Sequence, residues 1–491
     1  MTACWLQQRR AGVLLHPTSL PNRDGQGDLG PAAHRFVDYL AAAGFSVWQM
    51  LPVGPVHDDR SPYLPRSSFA GHTGLISPAG LRDQGLIDTP ATTGADDLPE
   101  RRGMLTRAWR VFQHDADAAA RSRFERFVAS HASWLPDYAL FRTLGLHYED
   151  RPWFQWPTQE RTADQGARER LRRQYAEEVD FECFGQYLFF EQWARLHAHA
   201  RSRGIELFGD LPIYVAHDSS DVWCRPQYFM IDASGQPEEV AGVPPDAFAE
   251  TGQRWGNPLY DWQRLEADGQ RWWIERFRGQ YELFDMLRVD HFRGFESYWA
   301  IPGDAPTAES GRWRPGPGRN LFDRVIAGLG KLRLVAEDLG SITPEVDTLR
   351  RHYGFPGMRV LQFGFEGGAD NPHRPANHIE DAVAYTGTHD NDTTLGWWQA
   401  LDETRQRRVL DHLGHPDLPI DRALVQAALS SVCRLAVLPM QDLLGLGAEA
   451  RMNTPGTARG NWSWQLDEGV IDADPEPWIR HQIEDGGRLP S

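Results

Sequence analysis

The amino-acid sequence predicts an α/β fold, and within that class a closed (β/α)8 TIM barrel. Eight short apolar runs bounded by turn residues are typical of strands buried in a parallel sheet. Because a strand–helix alternation repeated eight times favours a closed barrel, an open doubly wound sheet is only the main alternative. No G-x-G-x-x-G motif follows the first run to support that alternative. The runs are 11–15, 46–51, 205–209, 285–289, 332–336, 357–363, 382–386 and 435–439.

The stretches between the runs support the alternation in turn. Most of them space their apolar residues as an amphipathic helix does. Residues 32–44 follow the first run, 184–204 precede the third, 272–284 the fourth, 321–330 the fifth and 344–354 the sixth. Each predicted strand after the second therefore has a helix or a long interval before it, as parallel strands require.

Two intervals are too long for simple loops. Residues 52–204, between the second and third strands, hold several amphipathic segments and are predicted to form a mostly helical insertion. Residues 211–270, between the third and fourth, are rich in Pro, Gly and Trp and are predicted to form a loop-rich lobe over the barrel mouth. Residues 91–103 and 303–318 are expected to be loops. We therefore expect residues 1–491 to form one catalytic barrel with two inserted subdomains.

Composition argues against several classes of partner. The net charge of −17 is opposite to what a nucleic-acid or anionic-membrane surface needs. No run approaches the ~20 apolar residues that span a bilayer, and the start of the chain does not read as a signal peptide. The four cysteines have neither metal nor disulfide spacing, which fits a reducing compartment. We therefore expect a cytoplasmic protein.

Aromatic residues give the first positive indication of a ligand. The chain has 19 Trp, 13 Tyr and 23 Phe, and many lie beside Gly, Pro or Asp instead of within apolar runs. Flat aromatic faces beside polar groups suit sugar rings, whose faces are apolar and whose edges carry hydroxyls. The alternative is that a large protein simply buries many aromatic residues.

Acidic residues follow four of the predicted strands, at the end of a barrel where active sites lie. At any one position such a residue could instead cap a helix or pair with arginine. A magnesium or calcium site is a third interpretation, although no His-x-x-x-His or compact D-x-D-x-D pattern supports it. The acidic residues are Asp210 after the third run, Asp290 after the fourth, Glu337 and Asp338 after the fifth, and Asp390 and Asp392 after the seventh, where His389 and Asn391 accompany them.

The neighbours of Asp290 indicate how charge is divided at this mouth. Arg288 and His291 are possible cations that would keep Asp290 ionised. Glu337 has fewer cations adjacent in sequence and is the natural candidate for a raised pKa. An anionic nucleophile opposed by a protonated acid is the apparatus of retaining glycoside chemistry, in which the two carboxyl groups lie ~5–5.5 Å apart and a covalent glycosyl-enzyme forms.

Long motifs then connect the chain to a known family. They include HPTSLPNRDGQGDLG at 16–30, SPY at 61–63, GDLPIYVAHDSSDVW at 209–223, GQRWGNPLYDW at 252–262, RVDHFRGF at 288–295, AEDLG at 336–340, YTGTHDNDTT at 385–394, LPMQDLLGLGAEARMNTPGT at 438–457 and NWSW at 461–464. Through these motifs nearly the whole chain resembles the 4-α-glucanotransferases of the amylomaltase or disproportionating-enzyme kind, a branch of the α-amylase-like glycosidases.

The resemblance implies a role for each matching residue of the catalytic motifs. Asp290 would be the nucleophile and Glu337 the general acid/base. Asp390 would bind sugar hydroxyls and stabilise the transition state. Arg288 would hold Asp290, and His389 would bind the ring held against the nucleophile.

The resemblance also implies a set of substrate-binding residues. Tyr63 would stack on the bound sugar. Trp255, with Gln253 and Asp246, would lie on a flexible lobe that closes over the glucan chain, and Asn461 would border the groove. The other candidates lie within the matching motifs and are Ser61, Asp210 and His291.

The function implied is a 4-alpha-glucanotransferase that acts on maltooligosaccharides and α-1,4-glucans without a metal or organic cofactor. A hydrolase of the amylase kind uses the same carboxylates and is the first alternative. A binding protein that kept the barrel but lost turnover, and a lyase or isomerase that uses metal-bound acids, are further alternatives. The sequence leaves the oligomeric state open.

Overall fold

The computed structural model describes residues 3–22, 25–88, 98–245, 249–457 and 459–490. In the described part, no helix is both long enough and apolar enough to cross a membrane. The strands are β1 Arg10–Leu14, β2 Val47–Gln49, β3 Glu206–Leu211, β4 Glu239–Val243, β5 Gln253–Pro258, β6 Met286–Val289, β7 Ser297–Pro302, β8 Arg312–Pro315, β9 Leu334–Ala336, β10 Gly357–Val360, β11 Ala382–Tyr385 and β12 Leu435–Pro439.

The α-helices pack around and between these strands. They are α1 Pro31–Ala43, α2 Pro78–Asp83, α3 Leu98–Asp115, α4 Ala118–Ser130, α5 Leu135–His147, α6 Thr158–Arg161, α7 Gln165–Gln174, α8 Ala176–Ser202, α9 Ser220–Cys224, α10 Trp262–Ala267, α11 Arg271–Leu283, α12 Arg319–Leu329, α13 Pro344–His352, α14 Thr394–Ala400, α15 Glu403–Leu413, α16 Ile420–Ser430, α17 Met440–Leu443, α18 Glu468–Asp472 and α19 Pro477–Asp485.

Eight parallel strands form a nearly closed barrel, so the predicted (β/α)8 fold is confirmed. Their order is β10-β11-β12-β1-β2-β3-β6-β9, and each corresponds to one of the eight predicted runs. The end strands β9 and β10 meet through a hydrogen bond from the Ala336 N–H to the Pro356 carbonyl (2.8 Å). We call this junction, between Leu334–Ala336 and Gly357–Val360, the β9–β10 seam.

Helix α1 shows how the sequence builds the layer outside the barrel. Pro31 starts the helix, where its fixed φ fits and its missing N–H is not needed. Phe36, Val37 and Leu40 are fully buried at helical spacing and face the strands. Gly44 ends the helix with φ 92°, a left-handed conformation that glycine adopts without strain.

Alternation along the strands decides which side chains enter the barrel. Met286 and Phe208 belong to the apolar cluster inside the barrel, whereas Leu287 belongs to the cluster between strands and helices. Arg288 follows Met286 by two residues, and Asp210 follows Phe208 by two. Both ionisable side chains therefore point into the barrel interior at the C-terminal ends of their strands.

The interval at 52–204 contains helices α2–α8, and the longest of them, α8, packs against α3, α4 and α5. Part of the expected loop at 91–103 is helical, because α3 begins at Leu98. The turn-like composition around 91 gave no signal for this helix start. The residues before Leu98 in that expected loop lie outside the described residues.

A second, antiparallel sheet has the order β5-β4-β7-β8. Strands β4 and β5 lie in the interval 211–270, but β7 and β8 come after β6, so two separate chain segments build this sheet. The expectation of a loop throughout 303–318 is wrong, because Arg312–Pro315 form β8. Trp313 pairs there with Trp299, and such a short, charged strand has no apolar run to reveal it.

Candidate active site

The ends of β3 and β6 place a buried ion pair inside the barrel mouth. Arg288 Nη1 donates to Asp210 Oδ2 (2.6 Å), and the Tyr63 hydroxyl donates to the same oxygen (2.8 Å). Burial raises the pKa of Asp210, which Arg288 opposes and Asp290 reinforces. Asp210 Oδ1 has no hydrogen-bond partner within the described part of the chain. A buried carboxylate oxygen in this state is suited to accept a hydrogen bond from a ligand hydroxyl.

Asp290 lies one residue beyond β6 and is the most accessible member of this group. Arg288 Nη2 lies 3.0 Å from Asp290 Oδ1, and the Asp290 side chain is 30% exposed whereas that of Arg288 is 5% exposed. One buried guanidinium thus contacts both Asp210 and Asp290 and stabilises negative charge on them. Asp290 is therefore an accessible carboxylate that the more deeply buried Arg288 holds in place.

Glu337 follows β9 directly, and backbone donors hold its carboxyl group. Oε2 accepts from the His291 N–H (2.7 Å), and Oε1 accepts from the Leu339 N–H (2.9 Å). Burial raises the pKa of Glu337 to about 7, with Arg288 opposing the rise and Asp290 adding to it. A large fraction of Glu337 is therefore protonated at neutral pH and can donate a proton.

His291 contributes its backbone to the site and not a charge. Its φ is 49°, a left-handed conformation that turns its N–H toward Glu337. Burial lowers the pKa of His291 to about 4, so the ring is neutral near pH 7. The expectation that His291 helps to hold Asp290 as a cation is therefore wrong. The ring of Trp255 meets the His291 ring edge-on, with centroids 4.9 Å apart.

Three aromatic rings form one wall of the mouth. Tyr63 and His389 are stacked, with centroids 5.0 Å apart and planes at 18°. Trp462 lies 6.1 Å from the first ring and 6.0 Å from the second. Sequence reasoning missed Trp462, although the NWSW motif that contains it was a signal. The wall joins residues that are almost 400 positions apart in the chain.

Asp390 lies at the outer side of this wall and is half exposed. Its Oδ1 accepts from Asn453 Nδ2 (2.6 Å) and lies 3.5 Å from His389 Nε2. Its carbonyl accepts from Arg451 Nη2 (2.7 Å). Asn453 and Arg451 were not predicted as site residues, but both lie in the long motif at 438–457. They fix the orientation of Asp390 from a different loop.

Other predicted residues lie at the edge of the cluster. Ser61 Oγ accepts from the Tyr63 N–H (3.4 Å), so Ser61 adjoins the aromatic wall through the backbone. Gln253 Oε1 accepts from Trp255 Nε1 (3.1 Å), which orients the indole beside His291. Asp246 lies outside the described residues.

Asn461 is half-buried and organises a loop next to Trp462. Its Oδ1 accepts from the Thr454 N–H (3.0 Å), and its Nδ2 donates to the Thr457 carbonyl (3.0 Å). The side chain therefore connects the two ends of the segment 454–461 beside the aromatic wall.

The cluster suits acid–base and nucleophilic chemistry better than metal binding. No group of three or more His, Cys, Asp or Glu side chains placed to hold a metal ion occurs among the described residues. A small recess adjoins the cluster on the side of His389 and His16, but its lining does not include Asp290 or Glu337. The carboxyl groups therefore locate the reactive centre better than the recess does.

Comparisons with known proteins agree with this geometry. A profile of the family described as 4-alpha-glucanotransferase matches residues 15–470. The chain is 46% identical to the 4-alpha-glucanotransferase of Synechocystis sp., over 94% of each chain. It is 44% identical to that of Thermus thermophilus, over 98% of this chain and 99% of the other. The amylomaltase from Streptococcus agalactiae in complex with acarbose matches with a TM-score of 0.93 and 33% identity, over 98% of this chain and 100% of that one. The chain therefore belongs to the 4-alpha-glucanotransferase family.

Proposed function

We propose that the protein is a 4-alpha-glucanotransferase, which moves segments of α-1,4-glucan between maltooligosaccharide or glucan chains. The observation that carries the proposal is the pairing of Asp290, anchored by Arg288, with Glu337, whose pKa burial raises to about 7. This pair combines a fixed anion with an acid that is partly protonated at neutral pH, as a retaining mechanism requires. Membership of the family supports the same reaction.

In the first half of the reaction, a carboxylate oxygen of Asp290 attacks the anomeric carbon of the donor glucan. As the new carbon–oxygen bond forms, the bond to the glycosidic oxygen breaks. Glu337 gives its proton to that departing oxygen, so the leaving chain departs as a neutral alcohol. A covalent β-glucosyl–Asp290 ester results.

In the second half, Glu337 is a carboxylate and acts as a base. It removes the proton from the 4-hydroxyl of an acceptor glucan, whose oxygen attacks the anomeric carbon. The ester bond to Asp290 then breaks and the carboxylate is regenerated. Two inversions give net retention, so the new bond is again α-1,4. No metal or organic cofactor takes part.

The remaining side chains stabilise charge and hold the sugar as the oxocarbenium-like transition state develops. Asp390, oriented by Asn453, accepts from sugar hydroxyls, and His389 binds the same ring. The unpartnered Oδ1 of Asp210 accepts from a further hydroxyl. Tyr63 offers the face of its ring to the sugar.

Acceptor binding decides between transfer and hydrolysis, because water and a glucan compete for the same ester. Trp255, Gln253 and Asp246 belong to the lobe at 211–270, which we assign to covering the bound chain. Ser61 and Asn461 would border the groove where the donor lies. The similar amylomaltase from Streptococcus agalactiae was solved in complex with acarbose, which supports glucans as the substrate class.

We assign the protein to the cytoplasm and to the metabolism of maltose and glycogen. The four cysteines Cys4, Cys183, Cys224 and Cys433 are all unpaired and buried, which supports a reducing compartment. α-1,4-Glucans stored or taken up by a cell supply the substrate class that the proposed reaction needs.

The experiment that tests the proposal is product analysis after incubation with maltotriose alone. We expect glucose together with a ladder of longer maltooligosaccharides. Asp290→Asn removes the nucleophile, and we expect it to lower the rate on the order of 10⁴-fold or more. Asp285→Asn is the matched control: it changes another carboxylate to the same amide at the start of β6, at the opposite end of the barrel.

Each alternative predicts a different product pattern. Glucose and maltose alone, without longer chains, would identify a hydrolase. No product in the wild type would refute both. If the Asp290→Asn variant kept the full ladder, the nucleophile would be another residue.

A further inference from the structure

At the β9–β10 seam the barrel lacks, among the described residues, the continuous ladder that joins its other neighbouring strands, and the seam adjoins the proposed acid/base. The other seven junctions of the sheet are continuous parallel ladders in the described residues. At the seam, the hydrogen bond from the Ala336 N–H to the Pro356 carbonyl is the backbone connection. Glu337 is the residue directly after Ala336. The position of Glu337 therefore depends on the contacts that hold β9 to β10.

The Asp338 side chain crosses this seam. Its Oδ1 accepts from the Met358 N–H (2.6 Å), a donor on β10. Gly357 makes room for it, because a Cβ on that residue would lie 2.1 Å from Asp338 Oδ2. A side-chain carboxylate therefore takes the place that a strand-to-strand backbone hydrogen bond has elsewhere in the barrel.

Two buried arginines face the same carboxylate. Asp338 Oδ2 lies 3.4 Å from Arg350 Nε on α13 and 3.5 Å from Arg359 Nη1 on β10. Burial raises the pKa of Asp338, while Arg359 and Arg350 lower it. Behind them, Asp347 pairs with Arg350, and His373 lies near Arg359. The Asp338 side chain is only 7% exposed, so these charges act on each other with little screening by water.

Glu337 is fixed from the other side by β6. Its N–H donates to the Val289 carbonyl (3.0 Å), and its own carbonyl accepts from the Phe292 N–H (3.2 Å). Its carboxyl group accepts from Leu339, the residue just after Asp338. The backbone at 337–339 is therefore held by β6 on one side and, through Asp338, by β10 on the other.

We propose that Asp338 is a positioning residue for Glu337: by bridging the β9–β10 seam and balancing Arg350 and Arg359, it holds the Glu337 carboxyl where the His291 and Leu339 N–H groups reach it. The proposal rests on the proposed function for the role of Glu337, and it assigns Asp338 no contact with substrate. Arg288 and Asp290 face Glu337 from β6, where Arg288 lowers the pKa of Glu337 and Asp290 raises it.

The first variant is Asp338→Asn, which keeps the shape and a carbonyl oxygen for Met358 but removes the negative charge. We expect kcat to fall roughly tenfold or more, with KM for maltotriose within about twofold, because Glu337 is displaced while sugar contacts remain. Arg350 and Arg359 then lack their counter-charge and favour the ionised form of Glu337. The alkaline limb of kcat/KM therefore moves to lower pH, by roughly half a unit or more.

Arg359→Gln is the opposite change and gives the opposite sign. Loss of this cation favours protonated Glu337, so the alkaline limb moves to higher pH. The double variant Asp338→Asn/Arg359→Gln restores the charge balance, and its alkaline limb returns toward that of the wild type. If Asp338→Asn does not fold, the alkaline limb of kcat/KM in Arg359→Gln tests the proposal alone. A limb at the same pH as in the wild type then overturns the proposal.

Asp285→Asn is the matched control for a merely structural effect. Asp285 also accepts from a neighbouring strand, through the Leu207 N–H (2.9 Å), and also contacts an arginine, Arg201 (2.8 Å), but it lies at the other end of the barrel. We expect this variant to lose stability with no shift of the alkaline limb. If the alkaline limb of kcat/KM lies at the same pH in the wild type, Asp338→Asn and Asp285→Asn, the positioning role is overturned.

A direct reading of Glu337 separates this proposal from the proposed function. Infrared difference titration, with Glu337→Gln as the reference, measures the pKa of the carboxyl without turnover. A lowered pKa in Asp338→Asn supports the role of Asp338 in balancing the charges beside Glu337 even if the wild type transfers no glucan, and an unchanged pKa opposes it. Absence of transfer products in the wild type, in contrast, would contradict only the proposed function.

Discussion

The two ends of the barrel use buried charge in opposite ways. At the N-terminal end, Glu206 contacts both Arg10 and Arg333, and Asp285 contacts both His197 and Arg201. Burial alone would raise the pKa values of Glu206 and Asp285, but these partners lower both. Each carboxylate there has more than one cationic or donor partner, so its charge favours the folded state.

At the C-terminal end, in contrast, carboxyl groups outnumber the cations that contact them. Arg288 is shared by Asp210 and Asp290. Asp290 also raises the pKa of Glu337, which Arg288 lowers. Burial raises the pKa of Asp210 and brings that of Glu337 to about 7. The same residue types therefore stabilise the fold where cations are in excess and provide an acid where carboxyl groups are in excess.

Among the variants that test this contrast between the two ends, Glu337→Gln should have the largest effect, a loss of activity. The amide keeps acceptor capacity for the Leu339 N–H but cannot give or take the proton. We expect kcat/KM for maltotriose to fall about 10²- to 10⁴-fold, as loss of a general acid/base does. Steady-state assays of glucose release measure this effect, and wild-type kinetics in this variant would show that the acid lies elsewhere.

The comparison also shows which parts of the molecule the sequence could reveal. The eight barrel strands were predictable because each is a local apolar run, and the carboxyl groups of Asp290 and Glu337 because each follows such a run. Strand β8 was not predictable, because its four residues contain no apolar run. It forms a strand only because it pairs with β7 in the folded protein.

The details that set the chemistry also depend on distant contacts. The neutral state of His291 comes from burial, which its charged neighbours in sequence did not indicate. The hydrogen bond from Asn453 to Asp390 joins residues 63 positions apart. Such contacts arise only when the loops of different strands meet at one mouth.

Asp285→Asn should have the second-largest effect, on stability and not on activity. The substitution removes the charge that His197 and Arg201 stabilise in a side chain only 9% exposed. We expect the free energy of unfolding at pH 7 to fall by about 2–4 kcal/mol. Urea denaturation gives the stability and the maltotriose assay the activity; a comparable loss of kcat/KM would break the separation between the two ends.

The pH dependence of stability should also differ between the ends. Lowered pKa values at Glu206 and Asp285 stabilise the fold above about pH 4.5, and this contribution is lost as pH falls toward their folded pKa values. The raised pKa of Glu337 acts in the other direction, because its contribution is lost as pH rises through about 7.

Glu337→Gln should therefore be more stable than the wild type at pH 9, by about 1–3 kcal/mol, while the two differ less at pH 5. Denaturation curves at both pH values measure the difference. If Glu337→Gln were less stable than the wild type at pH 9, the fold would stabilise the ionised Glu337. The excess of carboxyl groups would then not destabilise the folded state.

Tyr63→Phe should have the smallest of these effects. The change removes the hydrogen bond from the Tyr63 hydroxyl to Asp210 (2.8 Å) but keeps the ring stacked on His389. Because that bond helps hold the charge of Asp210, we expect kcat/KM to fall roughly tenfold, about 1.4 kcal/mol.

Tyr281→Phe is the matched control, since the Tyr281 hydroxyl accepts from the Arg333 N–H (3.0 Å) at the N-terminal end. We expect that variant to lose some stability and to keep wild-type kinetics. If both variants lost activity equally, hydroxyl groups at the two ends would be coupled through the barrel, and the contrast drawn between the ends would not hold.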